Sequence, residues 1–281
     1  MLTKPRVSIC WKSFQFLCFF LIIFSLVGTT LAHYHAFIAQ VLKHAVAVGD
    51  VLRNPLGGMR APKRRPKPVN SLTPDKVAEV STKLNNMGPT PLAIAARLAL
   101  MTGMRRGEIC ALRWQDVNLS KRQIHVVHAL SKAKGFVMDT PKDVAGKDSR
   151  RTISFGPRLA KILAERKDAM REEHGKLADW DESLFVVGDP VTGAFFNPQV
   201  LGREWAMLAR AENWRGTQGD IVHFHDLRHT FATLAIANHV DVMTVADLMG
   251  HKDVSTTLNV YAIALEESKR AAMDEMDAIL S

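Results

Sequence analysis

Tyrosine is scarce in this chain and paired cysteine is missing. Its 281 residues hold two tyrosines, Tyr34 and Tyr261, and three cysteines, Cys10, Cys18 and Cys110. No two cysteines have C-x-x-C spacing and their number is odd. This argues against a disulfide framework or a zinc site and points to a reduced, cytosolic chain. Neither a Gly-rich phosphate loop nor an acidic metal cluster is present, so no cofactor and no metal are expected. Internal repeats and low-complexity tracts are also lacking. Acidic residues are absent from Val51 to Pro74, and overall 28 Asp+Glu face 37 Lys+Arg, a net charge of +9. An excess of this sign points to a polyanionic partner, most simply nucleic acid. With 47% hydrophobic and 23% charged residues, the chain has the make-up of a folded globular protein of one large domain or two smaller ones.

The first thirty residues break this pattern. Phe14 to Val27 reads FQFLCFFLIIFSLV, preceded by Lys4, Arg6 and Lys12, and Thr30-Leu31-Ala32 follows. A basic start and a short apolar run resemble a signal peptide or membrane anchor. The run is shorter than the roughly 20 apolar residues of a confident span. Three readings stand: an anchor or signal, an apolar helix of a folded domain, or a wrongly assigned start. The remainder of the chain favours the third.

Leu31, Ile38, Val41, Leu42 and Ala45 place a helical stripe on Thr30 to Val48. Asn54-Pro55 and Gly57-Gly58 end it. Arg60 to Pro68 reads RAPKRRPKP, where the prolines keep a basic linker extended. Such a strap is solvated, and Arg60, Lys63, Arg64, Arg65 and Lys67 can also run along a phosphate backbone. Thr73-Pro74-Asp75 starts a helix with Val77, Val80, Leu84 and Met87 inward. Further helices are expected over 91–102 (stopped by Gly103), 106–113, 157–174, 197–212, 226–238, 241–249 and 262–280. Three β-branched, alternating segments, 123–130, 135–139 and 151–155, predict one small three-stranded antiparallel sheet in a mostly α (α+β) domain.

Four segments carry chemistry: Thr102-Gly103-Met104-Arg105-Arg106-Gly107-Glu108, then His225-Asp226-Leu227-Arg228-His229-Thr230, then Leu248-Met249-Gly250-His251-Lys252, then Tyr261. Singly each is weak. An H-x-x-R is common, a tyrosine on a helix is usually core, and a histidine before a helix is often a cap. In this order and spacing they resemble the catalytic domain of the tyrosine recombinases, the phage-integrase family, over about Ser71 to Leu280. Met249 is a departure where the family often has L-G directly. A type IB topoisomerase uses similar chemistry, but the compact domain and Leu227-Arg228-His229-Thr230-Phe231-Ala232-Thr233 favour recombinases.

The resemblance implies a DNA strand cut and rejoined without ATP through a 3′-phosphotyrosyl bond to Tyr261. Charge that grows on the non-bridging phosphate oxygens in the transition state calls for guanidiniums, which stay charged and offer paired donors. Arg105 and Arg228 match that clamp. Arg105 is preferred to Arg106 because it directly follows the Gly-x pair. His225, three residues before Arg228 and so on the same helical face, would bond the phosphate and take the tyrosine proton. His251 would donate to a phosphate oxygen. Nearby Arg and His⁺ charges would lower the phenol pKa from about 10. Lys142, in Thr140-Pro141-Lys142 ahead of Ser149-Arg150-Arg151, would protonate the leaving 5′ oxygen, with Lys147 the alternative. Glu108 would buttress the site from behind. His223 and His229 are expected to be structural.

The expected organisation is therefore residues 1–28 apolar and outside the family, 29–59 the remnant of a helical core-binding domain, 60–70 the basic linker, and 71–281 the catalytic integrase domain. The expected partners are double-stranded DNA with attachment-type sites, a homotetramer on synapsed DNA and accessory DNA-bending proteins. Leu265, Ala272, Met273, Met276 and Ile279 form a C-terminal stripe that docks on a neighbouring subunit or on its own domain. The expected place is the cytoplasm, on the nucleoid, with anchoring by residues 14–27 as the other reading. The alternative function is a DNA-binding remnant of a truncated or rearranged integrase, without complete recombination.

Overall fold

The computed structural model describes residues 28–62, 68–131, 137–141, 148–175, 180–189 and 191–251, together with 257–258, 269, 273–274 and 276–277. The chain forms two compact units, Met1–Lys67 and Pro68–Ser281. Residues 14–27, Lys63, Arg64, Arg65, Lys67, Lys142, Lys147, Tyr261 and most of the stretch predicted as helix 262–280 lie outside the described residues.

In the first unit, helix α1 (Gly28–Ala47) follows the predicted stripe with one correction. Ala32 and Leu42 are buried and Leu31, Ile38 and Ala45 partly so, but Val41 is 50% exposed. At about 100° per residue Val41 falls beyond the edge of the stripe that Leu42 centres. Among the described residues no helix is long and apolar enough to cross a membrane. Arg60 is exposed.

The second unit begins with α2 (Pro74–Asn86). Thr73 stands extended at its cap position but makes no cap bond with its side chain; Pro74 sets the first turn and Val80 and Leu84 are buried. Helix α3 (Pro91–Thr102) starts where Thr90 accepts a hydrogen bond from Ala93 N. Its residues Ala93 to Ala99 are all buried, Arg97 among them through a bond to Asn85 Oδ1 at 2.9 Å. A helix apolar all round belongs in a core, and small alanines let neighbours come close. It ends at Gly103, whose φ of 66° suits a residue without Cβ.

Helix α4 (Arg106–Ala111) follows, then a 3₁₀ turn (Trp114–Asp116) and five short strands. These are β1 (Val117–Asn118), β2 (Gln123–Val126), β3 (Ala129–Ser131), β4 (Val137–Asp139) and β5 (Arg151–Ser154). An antiparallel three-stranded sheet is present, in the order β1-β2-β5, with Ile124 opposite Ile153 and Val126 opposite Arg151. Its membership differs from the sequence expectation. The segment 123–130 breaks at Val127-His128, and β3 leaves to pair with β4 in a separate hairpin. The vacated edge is taken by β1, two residues long and too short to show a period of its own.

Four further helices lie over described residues: α5 (Pro157–His174), α6 (Pro198–Ala211), α7 (Phe224–Ala237) and α8 (Val242–Met249). Helix α3 packs against α2, α4, α5, α6 and α7. Trp205, Trp214 and Phe224 cluster, with ring centroids 5.4 Å (Trp205–Trp214) and 6.0 Å (Trp205–Phe224) apart. Trp205 Nε1 donates to Val222 O at 2.9 Å and Trp214 Nε1 to Glu79 Oε1 at 2.9 Å. These bonds satisfy the indole donors inside the core and fix where α7 begins. Ala232, Ile236, Val245 and Met249 form a second small cluster that holds α8 against α7.

Candidate active site

Helix ends, more than helix faces, build the site. Arg105 is the residue before α4, in extended conformation, and its N–H donates to Glu108 Oε2 at 2.8 Å. Its guanidinium turns back to Glu108 Oε1 at 2.9 Å and reaches Gly250 O at 3.3 Å. Arg106 points elsewhere, its guanidinium lying against Gly202 of α6, so Arg105 alone of the pair enters the cluster. Arg228 lies one turn into α7 and is 2% exposed. It donates to Gly103 O, to Met249 O at 2.7 Å and to His251 Nε2 at 2.9 Å. Residues 123 positions apart in the chain (105 to 228) thus meet because α3 and α8 both end in left-handed glycines. Gly103 (φ 66°) and Gly250 (φ 67°) turn their helix carbonyls toward the guanidiniums.

A third guanidinium completes the cluster. Arg151 on β5 is 6% exposed and grips Glu108 with two bonds, Nη1 to Oε1 at 3.1 Å and Nη2 to Oε2 at 2.9 Å. Its Nε donates to Leu248 O at 2.7 Å and its Nη1 to Ser149 O at 3.3 Å. Three successive carbonyls, Leu248, Met249 and Gly250, therefore receive Arg151, Arg228 and Arg105 in turn. Sequence reasoning singled out the Ser149-Arg150-Arg151 stretch without giving Arg151 a part.

The electrostatics follow from this packing. Burial of Glu108 (1% exposed) pushes its carboxyl pKa up, but Arg151, with Arg105 and Arg228 behind it, outweighs that and brings it down to about 2. Among the described residues of the cluster one carboxylate faces three guanidiniums. Burial and then the arginine charges push His251 down to about 4. His229 is pushed to about 4 by burial, then by His225 and Arg228. His225 is pushed down to about 4 as well, first by burial of its ring and then by Arg228, Arg105 and Arg106, although the residue as a whole keeps exposed surface. All three are held neutral at pH 7, so the positive charge of the cluster is that of its arginines. An ionised guanidinium only donates, so His251 Nε2 accepts from Arg228 and its Nδ1–H donates to Thr257 Oγ1 at 2.8 Å.

The cluster holds Arg105, Glu108, Arg228 and His251 of the residues singled out from the sequence. His225 is the second residue of α7 and sits beside it, within the field of the same arginines; the helix cap is His223, whose N–H donates to Asp226 Oδ2 at 2.7 Å. His229 meets His225 edge-to-face at 4.8 Å between centroids, so it is a packing partner of that ring. Met249 is buried, and its carbonyl takes Arg228.

A model of the phage integrase family matches residues 70–267. The ICEBs1 integrase of Bacillus subtilis (strain 168) is 27% identical over 187 residues, 65% of this chain and 48% of that protein. A tyrosine recombinase XerC-like protein of Caldanaerobacter subterraneus subsp. tengcongensis is 25% identical over 265 residues, 86% of this chain and 64% of its own length. The chain thus spans about half to two thirds of the length of these curated relatives. A solved structure of the Tn1549 transposon integrase in complex with a circular intermediate DNA superposes with a TM-score of 0.73 at 19% identity, covering 98% of this chain and 87% of that one. The likeness to that structure is one of fold, and the match over residues 70–267 establishes that this chain belongs to the phage integrase family.

Proposed function

We propose that this chain is a tyrosine site-specific recombinase that cuts and rejoins double-stranded DNA through a 3′-phosphotyrosyl bond to Tyr261, in the integration or excision of a mobile element. The observation that carries the reading is the meeting of Arg105 and Arg228 beside His251, each guanidinium turned toward the Gly250 end of α8. A phosphodiester whose non-bridging oxygens gain charge in the transition state is the chemistry such a clamp favours. The relatives, an integrase and a recombinase-like protein, and the DNA bound to the Tn1549 integrase support it.

In this mechanism the Tyr261 phenol oxygen attacks phosphorus and the 5′ oxygen leaves. His225, neutral at pH 7, can take the phenol proton. Lys142 supplies a proton to the leaving oxygen, with Lys147 the alternative. Attack by a 5′-hydroxyl on the phosphotyrosine reverses the step, so the energy of the broken strand is kept in the bond and no ATP is needed. His251 must carry a proton on Nε2, gained from outside or moved there from Nδ1, and give up its bond from Arg228 before Nε2 donates to the phosphate. Arg60, Lys63, Arg64, Arg65 and Lys67 would contact the backbone along the linker, in a homotetramer on synapsed DNA with DNA-bending proteins as accessories.

The test is to incubate the chain, beside a Tyr261→Phe variant, with duplex DNA spanning the junctions that flank its own gene. An SDS-resistant protein–DNA adduct with the parent and none with the variant is expected. Salt-sensitive DNA binding without any adduct would replace this reading by that of a binding remnant.

A further inference from the structure

Arg151 has the geometry of a residue that serves the site without touching the substrate. Four of its five N–H donors are spent on Glu108, Ser149 and Leu248, and its side chain is 6% exposed. Glu108 is the one carboxylate in the cluster among the described residues. Its Oε1 lies 2.9 Å from Arg105 Nη1 and 3.1 Å from Arg151 Nη1, and its Oε2 lies 2.9 Å from Arg151 Nη2. Without Arg151, Arg105 and Glu108 would form a closed neutral pair, and one arm of the phosphate clamp would be cancelled. With Arg151 in place the carboxylate is shared, and the trio of Arg105, Glu108 and Arg151 keeps a net positive charge.

We infer that Arg151 is a positioning residue that holds Glu108 away from full pairing with Arg105, so that the charge of Arg105 stays available to a phosphate oxygen. This rests on the recombinase reading of the same cluster. Glu108 is still needed, because it fixes both the main chain and the guanidinium of Arg105. The buried acid and the buried base form a balanced pair behind the working arginine. Arg151 also packs against Gly250, where an added Cβ would come within 2.9 Å of its Nη1, so the glycine leaves the room that the guanidinium fills.

The experiment compares the parent chain with Arg151→Gln, Glu108→Gln and the double variant Arg151→Gln/Glu108→Gln, each at a temperature where circular dichroism shows it folded. Adduct formation on duplex DNA and affinity for inorganic phosphate, followed by the histidine ring signals in NMR, are the two readouts. Arg151→Gln should lose about 100-fold in adduct rate, the scale of one transition-state donor. The double variant removes the acid as well and should recover at least tenfold over Arg151→Gln, although it lacks one more native side chain. In Arg151→Gln the carboxyl loses its strongest partner, so its phosphate affinity should rise relative to the parent as pH falls from 7 to 5. Arg151→Lys, which keeps the charge but not the paired bonds, should fall between the parent and the Gln variant.

A folded Arg151→Gln within twofold of the parent overturns the inference. So does a double variant no better than the single one, or a deficit that does not change with pH. If the parent itself forms no adduct, the recombinase reading fails, and phosphate affinity across the same variants still decides the role of Arg151.

Discussion

Arg166 and Arg228 are each 2% exposed, and each is held by main-chain carbonyls. Arg166 on α5 gives Nε to Val186 O at 3.1 Å, Nη1 to Pro89 O at 3.0 Å and Nη2 to Gly188 O at 2.7 Å. Burial pushes its pKa down to about 10, and Asp189 pulls weakly the other way. It is a cation that satisfies three carbonyls from two loops. Arg228 also takes carbonyls, but it stands with Arg105 and Arg151 against a single carboxylate, and neutral imidazoles sit beside it. Burial of an arginine is therefore no mark of a site. The mark is like charge gathered closer than the local counter-charge can balance, an arrangement that loses stability until an anion arrives.

The largest expected effect separates the two regions by stability. Arg166→Met strands three buried carbonyls and should cost about 4 kcal/mol. Thermal unfolding followed by circular dichroism measures this, and activity per folded molecule should be unchanged. A melting temperature equal to that of the parent would dissolve the contrast.

The next effect is one of pH. His229 and His251 have folded pKa values near 4, below the unfolded value near 6.5. The unfolded chain therefore takes protons that the folded site refuses. The stability they contribute is complete above pH 6.5 and is lost as pH falls from 6.5 to 4, by about 2 kcal/mol for each ring after solvent screening. Glu108, held near 2, adds its own loss from about pH 4.5 down to 2. Urea unfolding at pH 7, 5.5 and 4.5 checks the sign. A chain as stable at 4.5 as at 7 would show that the rings are not held neutral. Because an anion restores their affinity for protons, short duplex DNA should narrow the loss over the same range.

A smaller effect compares two glycines. Gly250 (φ 67°) and Gly219 (φ 77°) both need the left-handed region, but only at Gly250 would an added Cβ meet an arginine, Arg151 of the cluster. Alanine at either position should cost about 1 kcal/mol in backbone strain. Only Gly250→Ala should also lower DNA affinity, by displacing Arg151 and the carbonyl that receives Arg105. Equal losses of DNA affinity would deny that turn its part in the site.

Much of this was readable before any fold was known. Pro91, Gly103 and Gly156-Pro157 punctuate the chain where α3 ends and α5 begins, since proline and glycine act locally. The Gly-x-Arg turn, H-x-x-R and Gly-His spacings located four members of the cluster for the same reason. The two-residue β1 and the break at Val127-His128 were not legible, because strand partnership is set by tertiary packing over lengths too short for a period. Arg151 could have been found. Residues 151, 153 and 155 share one face of β5, and Ile153 and Phe155 are apolar and buried, so the strand period put Arg151 on the inner side. An arginine turned inward must find acceptors, and for Arg151 these are Glu108 and the carbonyls of Ser149 and Leu248. The charge state of the histidines was beyond the sequence, since it depends on which arginines surround each ring.

The most direct test of the account is Arg228→Lys, which keeps one positive charge at the centre of the cluster but removes the paired donor geometry. The account predicts a melting temperature within a few degrees of the parent and a loss of adduct formation on junction DNA of about 100- to 1000-fold. A folded Arg228→Lys chain that forms the adduct at the rate of the parent would contradict it.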